Sequence, residues 1–215
     1  MTFKEYYKYV FLSEARQSYN DYDKRDISIK NAYDELLMAS NLIVRKRFPF
    51  FYELLRKLHV IHVFNPSNEV QEKDGKAYGW VQNSQIDTMA VDAKGNIYIN
   101  VLFALNQLGF QHTVGVLCHE TLHVAWRHLD RLGTRNPQLW NIATDLVINY
   151  TLLQEKISLP SAGIIPTRDG DYTISDITKS GKPETINVSN KTAEEVYDML
   201  VDVLDENKME EESNQ

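Results

Sequence analysis

The stretch TVGVLCHETLHVAWRHLDRL, residues 113–132, restricts the fold of this chain more than any other. Val114, Val116, Leu117, Leu122, Val124, Ala125 and Trp126 make it the strongest helical pattern present, ended near Gly133, and so apolar a helix belongs in a core. Yet His119, Glu120 and His123 sit in its middle. Buried imidazoles and carboxylates need partners, because desolvating them without compensation is costly. Four helical residues turn the chain by about 400°, so the two histidines lie about 40° apart on one face, one turn from each other. Two imidazole nitrogens so placed can share one tetrahedral zinc ion. Glu120 projects about 100° round the helix. From there it does not crowd a metal but can reach a water bound to it, which is the mechanical content of H-E-x-x-H.

A hydrolytic site of this kind needs a third protein ligand and one position left for water. His128 is nearest, but it lies about 140° round the helix from His123, and VAWRH contains no glycine to turn the chain back. An unbroken helix would point His128 away. Asp145 lies on the next predicted helix, NPQLWNIATDLVINYTLLQ, for which Asn136 can cap and Pro137 suits the first turn. The short connection suits an antiparallel helix pair. Asn141, Asp145 and Asn149 succeed one another at intervals of four and share a face. Asp145 is therefore the expected third ligand and His128 the alternative. The bland reading has Asn141 and Asn149 linking neighbouring loops and Asp145 paired with Arg127 or Arg131.

The rest of the chain frames that helix pair. With 215 residues, 43% hydrophobic and 25% charged, one packed globular domain is expected. A net charge of -7 argues against a general nucleic-acid binder or a binder of acidic membranes. The single cysteine, Cys118, permits no intrachain disulfide and reads as a small buried residue. Residues 1–26 form a tyrosine-rich extension without the apolar stretch of a signal peptide, and no run approaching a membrane span stands out, so the expected location is the cytoplasm. The main domain is placed at 27–204 and an acidic tail at 205–215.

Within the domain, residues 27–48 read as a long helix interrupted by Pro49, and 50–59 as a shorter one. VIHVF reads as a strand, on which His59 and His62 cannot form a chelating pair. TMAVD and NIYIN flank a hairpin turn at Gly95. VLFALNQL reads as a short helix stopped near Gly109, and the stretch after Pro160 as loop. Thr192 and Glu195 form a capping box that opens the last helix.

CHETLHVAWRHLDR and then LWNIATDLVIN resemble the signature of a family of predicted metallopeptidases found beside von Willebrand factor A-like domains in bacteria and their phages. That signature is H-E-x-x-H-x-x-x-x-H-x-x-R, then W-N-x-A-x-D-x-x-x-N. It is matched here by His119, Glu120, His123, His128 and Arg131, then Trp140, Asn141, Ala143, Asp145 and Asn149. The preceding hairpin and the later AEEVYDML also fit, so the resemblance covers roughly residues 30–200. It implies a zincin-like α+β fold, mostly helical, with a small β-sheet next to the H-E-x-x-H helix. Residues 1–26 have no counterpart in it. The chain carries no von Willebrand-like domain, so it is expected to be a free-standing catalytic module, or to meet a von Willebrand factor A-like or ATPase partner in trans.

The function expected is zinc-dependent hydrolysis of a peptide or protein. Zn2+ held by His119, His123 and Asp145 would activate a water for which Glu120 is the general base. His128, Arg131 and Tyr172 are candidate donors to the oxyanion, and His128, Arg131, Asn141 and Asn149 are candidates for holding the ligands or the substrate. Residues Ile97, Tyr98, Ile99 and Asn100 are expected to form an edge strand that pairs with an extended substrate, unless neighbours occupy both sides. The competing class is a non-catalytic zinc-containing binding or adaptor module acting through a protein partner.

Overall fold

In the computed structural model the described residues are 22–65, 79–92, 94–161, 163–175 and 178–204. The acidic tail and most of the tyrosine-rich extension lie outside them. The chain divides into two units, residues 1–121 and 122–215, and the division falls inside the helix that carries HETLH.

In the first unit, α1 (Tyr22–Arg47) begins five residues inside the stretch read as an extension. It stops just ahead of Pro49, whose fixed φ and missing N–H suit the first turn of α2 (Pro49–Leu55). Strands β1 (His59–Val63), β2 (Met89–Val91) and β3 (Asn96–Asn100) come next. The hairpin forms where the sequence places it. Gly95 adopts φ 81, and the Asp92 carboxylate accepts hydrogen bonds from the backbone N–H groups of Lys94 and Asn96, both at 2.9 Å.

The strand order is β1-β3-β2, with β1 parallel and β2 antiparallel to β3. This corrects the expectation for NIYIN. Ile97, Tyr98, Ile99 and Asn100 lie on the central strand, their backbone groups already committed to neighbours on both sides. The hairpin supplies one neighbour, but the other is VIHV, more than thirty residues earlier, and no local pattern announces that pairing. Ile97 and Ile99 are fully buried and share a core with Tyr33, Leu36, Phe64 and Leu117. That core is what places the sheet beside the start of the motif helix.

After β3 the Asn100 side chain accepts from the Phe103 N–H and opens α3 (Val101–Phe103), which passes into one π-helical turn, Ala104–Leu108. Gly109, at φ 62, allows the redirection into α4 (Gly109–Ala125). The continuous run Val101–Ala125 is long and apolar enough, by length and composition, to cross a membrane. The expectation of no such run fails here because Gly109 reads in the sequence as the end of one helix, whereas the helical run continues through it. Val101, Ala104, Leu108 and Leu117 of this run are buried in the protein core, and a core helix passes the same test.

The second unit is built on α5 (Pro137–Gln154) and α6 (Ala193–Val203). Asn136 caps α5, its side chain accepting from the Gln138 and Leu139 N–H groups. The Thr192–Glu195 capping box forms in full. Between the helices an antiparallel pair appears, β4 (Asp171–Ile174) and β5 (Glu184–Asn187), where the sequence reads as loop. Its strands are short, and glycine, lysine and small polar residues surround them, so the alternation of Tyr172 and Ile174 with Ile186 is a weak signal. Gly170 is needed beside this pair: its φ is 92, and an added Cβ would meet the Ser189 nitrogen at 2.8 Å. Leu139, Ala143 and Leu146 of α5 bury against Ile174, Ile186, Val196 and Leu200. The class is α+β, mostly helical with small sheets, as the sequence implies.

Candidate metal centre

His119, Glu120 and His123 stand on α4 as its periodicity requires, with Glu120 7% and His123 9% exposed. The helix does not continue to residue 132. It ends at Ala125, and Arg127 takes the left-handed conformation at φ 54, which ordinarily costs about 1–2 kcal/mol for a residue with a Cβ. Contacts made by His128 offset that strain. Its N–H donates back to the His123 carbonyl at 3.1 Å. Its carbonyl accepts from Trp140 Nε1 at 2.8 Å. Its ring packs against Trp126 and Trp140.

The premise that VAWRH stays helical for want of glycine is therefore wrong: an exposed arginine makes the turn. His128 does not point away but is turned inward, 2% exposed. Its Nδ1 lies 3.2 Å from His123 Nδ1. Burial, then the neighbouring His123 and Arg131, push its pKa down to about 3, so it is a neutral imidazole at ordinary pH.

Asp145 reaches the other edge of the His123 ring. Its Oδ1 is 3.1 Å from His123 Nε2, and its Oδ2 accepts from Asn141 Nδ2 at 3.3 Å. The donor atoms of His119, His123 and Asp145 all lie within 4.8 Å of one another. Tetrahedral coordination at about 2.0–2.1 Å places ligand atoms about 3.3 Å apart, so the 3.1 Å approach suits a shared cation. Two imidazoles and a carboxylate, with no thiolate, are the donors expected of zinc or another divalent transition metal. His123 turns Nε2 toward Asp145 and Nδ1 toward His128, and His128 is not among the three residues whose donor atoms converge. The arrangement with His128 as third ligand is not the one the chain assembles.

The arginine pairings considered for Asp145 do not form. Arg127 pairs with Asp130 at 2.9 Å. Arg131 forks onto Glu194, Nε to Oε1 at 3.1 Å and Nη2 to Oε2 at 2.5 Å, and its Nη1 donates to the Trp126 carbonyl at 2.9 Å. Arg131 thus fastens the turn after α4 to the first turn of α6 rather than holding Asp145 or the asparagines. Glu194 was invisible to sequence reasoning, since 63 residues separate the pair. Asn149 donates from Nδ2 to the Ile164 carbonyl at 2.7 Å, tethering the segment after α5, as the bland reading of that residue has it. Tyr172 lies on β4, packed against the core of the second unit. Cys118 is buried, and burial pushes its thiol up to about 12, which disfavours the thiolate. His62 hydrogen-bonds Tyr33 Oη through Nδ1 at 2.8 Å.

The fold and this donor group define an α+β protein with a candidate His/His/Asp metal centre. A family model described as "Putative metallopeptidase domain" matches residues 77–215, well over half of the chain, and the chain belongs to that family. The comparisons with curated proteins and with solved structures return no match.

Proposed function

We propose that the chain is a zinc-dependent peptide hydrolase of zincin-like architecture, in which Glu120 is the general base. The observation that carries this reading is the convergence of the His119, His123 and Asp145 donor atoms within 4.8 Å, on and opposite a helix in which the residue after His119 is a buried glutamate. Three protein donors leave one tetrahedral position for water or a substrate oxygen, which favours a catalytic over a closed structural site. Zinc, when bound, supplies Lewis acidity toward that oxygen. Glu120 accepts the proton of the attacking water and passes it to the leaving nitrogen. Asn141, donating to Asp145 Oδ2, fixes the carboxylate so that Oδ1 stays turned to His123. The substrate would be a peptide or protein, and the resemblance to proteins found beside von Willebrand factor A-like domains suggests such a domain, or an ATPase, as a partner in trans. Because β3 is internal, it is not the strand that receives substrate.

The test is Glu120→Gln. The variant should keep its zinc and lose turnover on a peptide library by about 10²–10⁴-fold, the usual range for a general base. Turnover at the wild-type rate would remove Glu120 from the mechanism.

A further inference from the structure

His123 on α4 and His128 in the turn after it, both buried, bring Nδ1 against Nδ1 at 3.2 Å. A neutral imidazole carries one N–H and one lone pair. Two N–H groups at that distance would clash and two lone pairs would repel, so one proton lies between the rings. Its position is set from the far side of His123, where Nε2 faces Asp145 Oδ1 at 3.1 Å and is the nitrogen turned toward a metal shared with that carboxylate. A nitrogen that binds a metal must offer its lone pair, which leaves the His123 proton on Nδ1.

We propose that His128 is a positioning residue for the metal centre. It accepts the hydrogen bond from His123 Nδ1–H and holds His123 in the tautomer that presents Nε2 to the metal. The inference rests on the metal site proposed above and adds a residue to it. Histidine ligands ordinarily give their second N–H to a carboxylate, a carbonyl or water; here a second imidazole takes that place.

The acceptor is held by structure independent of the metal. The left-handed Arg127 throws residue 128 inward, Trp140 Nε1–H clasps its carbonyl, and its ring sits edge-on to His123 with centroids 5.2 Å apart. Without metal the pair can run in reverse. His128 Nδ1–H then donates to His123 Nδ1, and the His123 proton sits on Nε2, which faces Asp145 Oδ1 at 3.1 Å. Each arrangement carries two ring protons, so metal uptake exchanges tautomers without changing the charge of the pair.

The experiment uses the full chain, with zinc affinity read by competition with a chromophoric chelator and ring protonation by imidazole ¹⁵N spectra. His128→Phe keeps an aromatic ring between the tryptophans and removes the acceptor; His128→Asn puts an amide oxygen near the Nδ1 position and removes the ring. His128→Phe should bind zinc about 10- to 100-fold more weakly, and His128→Asn should recover most of that loss even if its thermal midpoint falls. In zinc-loaded wild type the His123 proton should be on Nδ1, and in metal-free protein on Nε2. Wild-type affinity in His128→Phe, or equal loss in both variants, overturns the proposal. So does a loaded His123 without a proton on Nδ1, a reading made on wild type that stands even if neither variant folds. Each of these can occur with the zinc site intact, whereas a wild-type chain that takes up no zinc sinks the hydrolase reading as well.

Discussion

Arg131→Ala separates a structural role from a chemical one at a residue that the sequence placed near the site. In the folded chain Arg131 makes two charge-assisted hydrogen bonds to Glu194 and one to the Trp126 carbonyl. The paired side chains are 37% and 34% exposed, so water screens the ion pair and its worth is about 1 kcal/mol at most. The bond to the carbonyl contributes about 1 kcal/mol more, and the guanidinium over the Trp140 ring, 5.9 Å from its centroid, about 0.5 kcal/mol. The expected loss is about 2 kcal/mol, or a fall of roughly 10 °C in midpoint for a unit of this size. Urea unfolding monitored by tryptophan fluorescence reports it, because Trp126 and Trp140 adjoin the turn. Arg131 holds the Glu194 carboxyl below its usual value of 4.5. A carboxylate lowered on folding stabilises above its unfolded pKa, and that stability is lost as pH falls through the folded value. The gap between wild type and Arg131→Ala should therefore be widest near neutrality and shrink on acidification below pH 4.5. Arg131→Lys should lose most of the same energy, since an ammonium cannot fork onto Glu194 and reach the carbonyl together. A loss under about 0.5 kcal/mol, far below the hydrogen-bond sum, or a gap that widens in acid, would refute the reasoning.

Two further outcomes test the core of the second unit and the half-buried His62. Leu146 is fully buried in the core of the second unit, so Leu146→Ala should cost about 2–5 kcal/mol in urea unfolding; a cost under about 1 kcal/mol would show that the surrounding core collapses onto the gap. His62 has its pKa lowered from 6.5, by burial above all. Its stability contribution is thus complete above pH 6.5 and declines as pH falls below that value. His62→Gln should flatten that part of the profile, and an unchanged slope in the variant would place the proton uptake elsewhere.

What was legible in the sequence is what local periodicity and local chemistry encode. The spacing of His119 and His123, the Asn136–Pro137 start of α5, the Gly95 turn and the Thr192–Glu195 capping box each lie within a few residues and appear where the pattern places them. The face shared by Asn141, Asp145 and Asn149 led to Asp145 across the turn. Distant partners or tolerated strain set the features that escaped. The end of α4 depends on Arg127 accepting a left-handed backbone, a cost recovered through Trp140 and His128. The Arg131–Glu194 fork spans 63 residues, and the central place of β3 depends on β1. In each case one end of the interaction reads as a common surface charge or an ordinary strand until the other end is in place.

We propose that His119, His123 and Asp145 together hold one metal ion. It is tested most directly by zinc content after dialysis against a weak chelator, measured on wild type and on Asp145→Ala shown by circular dichroism to be folded. Close to one zinc per wild-type chain and a marked loss in Asp145→Ala are expected. A wild-type chain free of zinc, or an Asp145→Ala chain that holds zinc as firmly as wild type, would contradict it.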